Sequence, residues 1–239
     1  MDIISAANLY LRQIGELRPS ISDLKPSIFT TGGPEPRSLV EISGKRRSGK
    51  TLLLMQLVAN CLTRCDVILI NINHKIDLQL LGKLLQDAVK NANPQATAVE
   101  LQEICEKCMD SLEIINCFSS LDVRLAIKAL DHHILLDNER VSLVAIDGLC
   151  EFYWFDLPPN VPMRKYTYYM KFLERIHRIS KRFYVCCMYT VDSSYLKTSY
   201  APSRAINIDH KLQLNCFRGK RTLNNKRIVI NESGIQVMD

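Results

Sequence analysis

The sequence predicts an α/β fold: a mostly parallel central sheet with helices on both faces and an antiparallel extension at the carboxyl end. Three observations predict it. Residues Gly44 to Thr51 read GKRRSGKT and fill every specified position of G-x-x-x-x-G-K-[ST], a loop that works only between a strand and a helix. From Leu39 onward, short apolar runs alternate with helix-forming stretches, as they do where parallel strands are joined by crossover helices. Past Ala205 the rhythm changes to short alternating runs with turn residues at Arg218-Gly219 and Ser233-Gly234.

The elements follow in order. Residues 1–37 form a short lead in which Ala6 to Leu17 has helical composition. Pro19, Pro26, Gly32, Gly33, Pro34 and Pro36 then break it into turns, and it is too short for an independent domain. Residues 38–239 make the core. Its first strand, Leu39–Ile42, leads into the loop, and the good helix formers of Leu52–Leu62 lead out of it. β-branched and apolar runs place further strands at Val67–Asn71, Leu112–Asn116, Leu143–Ile146 and Tyr184–Met188. Helices fill the intervals at Leu78–Lys90, Ala98–Met109, Val123–Leu136 and Lys165–Lys181. Lys211–Phe217, Arg227–Asn231 and Ile235–Val237 read as short antiparallel strands.

Composition sets the bounds. A chain of 239 residues with 47% hydrophobic content builds one sizeable core. No run of eighteen apolar residues exists, so no membrane span is expected, and residues 1–11 lack the basic start and apolar centre of a secretory signal. Nine cysteines, an odd count scattered over helices and strands, fit a reducing compartment. A net charge of +6 permits an anionic partner without naming one.

The loop carries the chemistry. Gly44 and Gly49 let backbone N–H groups point inward around an anion, Lys50 reaches the terminal phosphates as a point charge, and the Thr51 hydroxyl can ligate Mg²⁺. Lys45, Arg46 and Arg47 make the loop unusually basic, and Ser48 completes it. The buried-strand run 141–146 ends in Asp147, about a hundred residues on, where a carboxylate can hold a water of the Mg²⁺ shell. Residues 44–51 and Asp147 are therefore the candidate ATP-binding set, with Thr51 and Asp147 as metal ligands.

The run DGLCEFYWFD at 147–156, taken with GKRRSGKT and the stretch from Asn71 to Leu81, resembles the RecA-type recombinases of eukaryotic homologous recombination. More narrowly, it is similar to their small paralogues that lack the helical amino-terminal domain. The ending Glu232 to Val237 resembles the closing hairpin of the recombinase core, so the resemblance covers roughly Ser38 to Asp239. It implies a RecA-like ATP-binding core acting in the nucleus, in homologous-recombination repair of double-strand breaks. The implied partners are other paralogues in a hetero-oligomer, with single-stranded or branched DNA contacted through the complex.

Two departures limit the implied activity. The family's second acidic residue after the strand that follows the loop helix, the glutamate that polarises water, falls here on Asn73. An amide orients water but takes no proton from it at neutral pH, so turnover is expected to be weak or absent. The γ-phosphate-sensing glutamine of the fifth strand is replaced by the shorter Thr190. The alternative reading is an active DNA-dependent ATPase or another phosphate-loop NTPase or kinase. A kinase needs an arginine-rich lid, and no insertion carries one.

Other residues draw weaker expectations. His74 reads as a solvent-facing loop histidine, and His132-His133 as surface and boundary residues of a helix. Cys105 and Cys108 have zinc-like spacing but no second pair nearby, and Cys61 and Cys65 have no adjacent histidine. In Phe152-Tyr153-Trp154-Phe155, four consecutive rings cannot all face one core, so Phe152 is expected inside and Tyr153 and Trp154 at a half-wet interface. By position, the resemblance makes 158–166, with Arg164 and Lys165, and 191–204, with Lys197 and Arg204, the DNA-facing loops.

Overall fold

The computed structural model describes residues 10, 13, 15–158, 163–197, 206–231 and 233–238. The middle of the first expected DNA-facing loop, half of the second including Arg204, the side chains of His132 and His133, and Glu232 lie outside the described residues. So does most of the helix expected over 6–17, of which Tyr10, Gln13 and 15–17 are helical.

Nine strands among the described residues form one sheet. They are β1 (Leu39–Gly44), β2 (Asp66–Asn71), β3 (Leu112–Asn116), β4 (Val141–Asp147), β5 (Cys186–Asp192), β6 (His210–Phe217), β7 (Lys220–Leu223), β8 (Lys226–Asn231) and β9 (Gly234–Val237). Their spatial order is β3-β2-β4-β5-β1-β6-β7-β8-β9. The first six in that order pair in parallel, and β6 through β9 continue as an antiparallel ribbon. Among the described residues, five helices of ten or more residues accompany the sheet: α1 (Lys50–Leu62), α2 (Leu78–Ala92), α3 (Ala98–Asp110), α4 (Ser120–Ala129) and α5 (Lys165–Phe183).

Strand alternation divides the core into two layers. Val67, Leu69, Leu143, Ala145, Met188, Leu212 and Leu214 meet α1, α2 and the buried Ile21, Leu24, Ile28 and Phe29 on one face. Ile68, Ile70, Val144, Ile146, Cys187 and Tyr189 meet α4 and α5 on the other. Four side chains of the lead, Ile21, Leu24, Ile28 and Phe29, are thus buried in the core formed by residues beyond 37. Arg18 anchors the same segment. Its buried guanidinium donates to the carbonyls of Phe183 (2.9 Å), Asn138 (2.9 Å), Leu135 (2.7 Å) and Val141, and burial lowers its pKa to about 10. Protonated at neutral pH, it joins the end of α5 to the start of β4.

Local chemistry sets the helix starts. Asp77 accepts from the N–H groups of Gln79 and Leu80, Thr97 and Glu100 form a reciprocal capping box, and Ser119 accepts from Asp122 N. The last of these starts α4 three residues before the expected Val123. The same helix does not run evenly to Leu136: a π-helical turn at Leu130–Ile134 interrupts it. β5 begins two residues later than expected because Tyr184, at φ 58°, turns the chain left-handed at the end of α5. β7 was not expected at all, since KRTL buries only Leu223 and carries no apolar alternation.

Candidate functional site

The strand ends bring the site together. β5 lies between β4 and β1, so Gly44, Thr190, Asp147 and the chain leaving β2 emerge side by side at the carboxyl end of the sheet. Gly44 has no room for a side chain: a Cβ there would lie 2.5 Å from both Leu214 O and Ser48 Oγ. Arg47 (φ 60°) and Gly49 (φ 101°) are left-handed, which curls the backbone of the loop into an anion-binding concavity. Gly49 then starts α1, whose first-turn N–H groups and dipole face the same space.

Lys50 folds over the loop and donates to the carbonyls of Gly44 (2.9 Å) and Lys45 (2.8 Å). Burial lowers its pKa, opposed by the carboxylates of Asp192 and Asp147. Asp147 is completely buried, and its Oδ1 accepts from Thr190 Oγ1 (2.6 Å) and Thr51 Oγ1 (3.1 Å). Its Oδ2 and the buried Ser48 Oγ have no hydrogen-bond partner in the protein. Burial raises the Asp147 pKa, against the hydrogen bonds from Thr190 and Thr51 and the nearby Asn73 amide, which favour the carboxylate. A desolvated carboxylate with one uncommitted oxygen, beside a threonine hydroxyl and a glycine cradle, fits a hydrated Mg²⁺ carrying a phosphate chain.

These groups open into one cavity of about 870 Å³, a size ordinary for a nucleotide. Arg46, Arg47, Ser48, Gly49, Lys50 and Thr51 line it from the loop side, and Asn73 and Lys75 from the segment after β2. Gly148, Cys150 and Glu151 follow β4, Thr190 to Asp192 end β5, Tyr195 comes from the short turn after it, and Arg221 and Ile230 come from the ribbon. Every described candidate except Gly44, Lys45 and Asp147 is thus on the wall; the last is buried directly behind Thr51.

Asn73 sits at the expected position with its amide committed: Oδ1 accepts from Lys75 N (3.0 Å) and Nδ2 approaches Thr51 Oγ1 (3.5 Å). Thr190 makes no free sensor. It donates to Asp147 and accepts from Gly148 N (2.8 Å), so it fixes the Asp147 carboxylate instead. His74 lies off the cavity wall, exposed, stacked on Phe118 at 4.5 Å and bonded to Cys117 O (3.0 Å). The aromatic run is sorted differently from expectation. Tyr153 is the buried ring, its hydroxyl donating to Met163 O, whereas Phe152 is half-buried and Trp154 (65%) and Phe155 (87%) are exposed. Tyr153 goes inward because its polar end finds an acceptor there. The Lys165 ammonium stands 4.9 Å over Trp154 and 5.2 Å from the Tyr195 ring, joining that surface to the cavity wall.

All nine cysteines are free thiols. Burial raises the pKa of Cys105 and Cys108, and among the described residues no group of three metal-ligating side chains assembles. No helix among the described residues is long and apolar enough to cross a membrane. Sequence reading missed Glu151, Arg221 and Ile230, and only the basic run around Arg221 pointed toward an anion. In comparison with known proteins, no family model and no curated sequence matches this chain.

Proposed function

We propose that this chain is a RecA-type, ATP-binding subunit of a recombinase-paralogue complex acting in the nucleus, in homologous-recombination repair of DNA double-strand breaks. Its own ATP hydrolysis is weak or absent. The observation that carries the nucleotide reading is the convergence of Lys50 and Thr51 on one cavity, with the half-satisfied Asp147 bonded directly behind Thr51. Lys50 and the loop amides hold the phosphate chain, Ser48 is at hand for one of its oxygens, and Thr51 and Asp147 hold the Mg²⁺ shell. The ion, when bound, offsets charge on the phosphates. Asn73 orients a water without deprotonating it.

The recombination half of the reading rests on the resemblance of GKRRSGKT and DGLCEFYWFD, and a sheet ordered β3-β2-β4-β5-β1 is compatible with it. Other paralogues are its direct partners, and the exposed Trp154 and Phe155 suit a protein contact. DNA, single-stranded or branched, is reached through the complex.

A second reading, a DNA-dependent ATPase or another phosphate-loop enzyme, is favoured by one observation. Glu151 lines the cavity as an exposed carboxylate whose charge reaches Lys50. One experiment separates the readings: equilibrium titration of the purified chain with Mg-ATP, followed by single-turnover hydrolysis with and without single-stranded DNA. Lys50→Ala is expected to abolish binding. Without a general base, hydrolysis is expected ~10²–10⁴-fold below that of a competent site. Brisk DNA-stimulated turnover that is lost in both Lys50→Ala and Glu151→Gln would establish the second reading instead. Failure to co-purify with recombinase paralogues from damaged cells would remove the recombination half.

A further inference from the structure

The antiparallel ribbon is built against the phosphate-binding loop. A Cβ at Gly49 would stand 3.4 Å from Ile230 Cδ1 and 3.6 Å from Ile235 Cδ1, so the apolar face of the ribbon touches the loop itself. Gln56 of α1 fastens that contact from below. Its Oε1 accepts from Ile235 N (2.9 Å) and its Nε2 donates to Ile235 O (3.2 Å), both bonds buried. The ribbon is held in place by the same helix whose first turn faces the cavity.

Within the ribbon, register places two cations, Arg221 and Lys226, on the core-facing side, and of these two Arg221 lines the cavity. Side chains two apart on a strand share a face. Leu223 of β7 is buried in the layer that contains α1, and so is Ile228, the cross-strand partner of Arg221. Arg221, two residues before Leu223, therefore lies on the core-facing side, while Lys220 and Thr222 lie on the other. A charged residue at an inward register position is costly unless its head group reaches water or an opposite charge. Arg221 opens into the 870 Å³ cavity alongside Ser48, Lys50 and Ile230. Among the described residues no carboxylate lies within ion-pair distance of it. Of the acids near the cavity, Asp147 is engaged by Thr51 and Thr190, Asp192 accepts from Ser194 N, and the charge of the exposed Glu151 acts on Lys50.

We propose that Arg221 is a nucleotide-binding residue, through which the ribbon supplies a guanidinium to the anionic tail of a nucleoside polyphosphate held by the loop. The inference rests on the ATP reading of the cavity. Lys50 offers the phosphates a point charge, whereas a guanidinium presents forked donors that match two phosphate oxygens at once. The contact comes from the same chain, so it needs no neighbouring subunit to form.

Full-length wild type, Arg221→Ala, Arg221→Lys and the outward-facing control Lys220→Ala are titrated at equilibrium with Mg-ATP, Mg-ADP and AMP. Hydrogen exchange at β7 and β8 is followed with and without Mg-ATP. Arg221→Ala is expected to weaken ATP about tenfold or more, ADP less and AMP least, because hydrogen bonds to charged groups contribute on that scale. Arg221→Lys should retain part of the affinity and Lys220→Ala all of it. Mg-ATP should slow exchange in β7 and β8 of the wild type but not of Arg221→Ala. Equal ATP affinity in wild type and Arg221→Ala would overturn the proposal while leaving the ATP reading intact. Absence of ATP binding by the wild type would remove that reading and the proposal with it.

Discussion

Asp147 combines complete burial, a raised pKa and one oxygen without a protein partner, and each of these costs the apo fold free energy. An unpaired buried polar group costs about 1–3 kcal/mol, more when charged. Asp147→Asn is therefore expected to stabilise the nucleotide-free protein, by about 2–4 °C in melting temperature per kcal/mol for a domain of this size. The same substitution should weaken Mg²⁺-dependent nucleotide binding. The pH dependence follows from the direction of the shift. The folded carboxyl takes up its proton at higher pH than the unfolded one, so its cost is present above the folded pKa and is relieved as pH falls through it. The thermal advantage of Asp147→Asn should shrink from neutral to mildly acidic pH. An advantage independent of pH, measured by calorimetry, would show that the charge is not its source.

At the scale of elements, β1 carries a second buried carboxylate, on the side away from α1. Glu41 accepts from Tyr169 (2.8 Å) of α5 and from Tyr189 (3.3 Å) of β5, and the two hydroxyls stand 2.8 Å apart. This closed network joins α5 to the strand that leads into the loop at 44–51, and burial holds both phenols protonated well above the usual range. Removing a member should cost more than an average hydrogen bond. Tyr169→Phe is expected to lose about 1–3 kcal/mol in denaturant unfolding; a loss too small to resolve would mean that Tyr189 alone satisfies Glu41. Such pairings also mark the limit of what was legible beforehand. The loop and the strand ending in Asp147 could be read because each motif is contiguous and its flanks carry their own periodicity. Arg221, Ile230 and Glu151 could not, because their place on the cavity wall depends on strand pairings and on a turn after β4 that leave no local pattern. Thr190 was misjudged for a related reason: its position at the end of β5 was legible, but its commitment to Asp147 is a contact across the sheet. Tyr153 exchanged places with Phe152 because an acceptor ten residues away, Met163 O, satisfied its hydroxyl.

For the whole molecule, residues 18–29 of the lead and the ribbon both send side chains into the core. Arg18 is consumed by four carbonyls of the same chain, and Ile21, Leu24, Ile28 and Phe29 are buried. This part of the lead is therefore not available to reach a neighbouring copy. Under the proposed function, the pure chain should stay small on DNA and join other paralogues at one end of an assembly. Long homopolymeric filaments seen by electron microscopy would contradict that. The Gln56–Ile235 clamp has a consequence in time as well as in space. Its two residues are 179 positions apart, a separation the ribosome takes roughly ten to forty seconds to cover at ordinary elongation rates. Throughout that interval α1 is already made, yet the strand that braces it does not exist. A nascent chain thus carries the loop at 44–51 long before it has a finished cavity, and under the proposed function ATP is held by the complete wall only once synthesis has passed the ribbon.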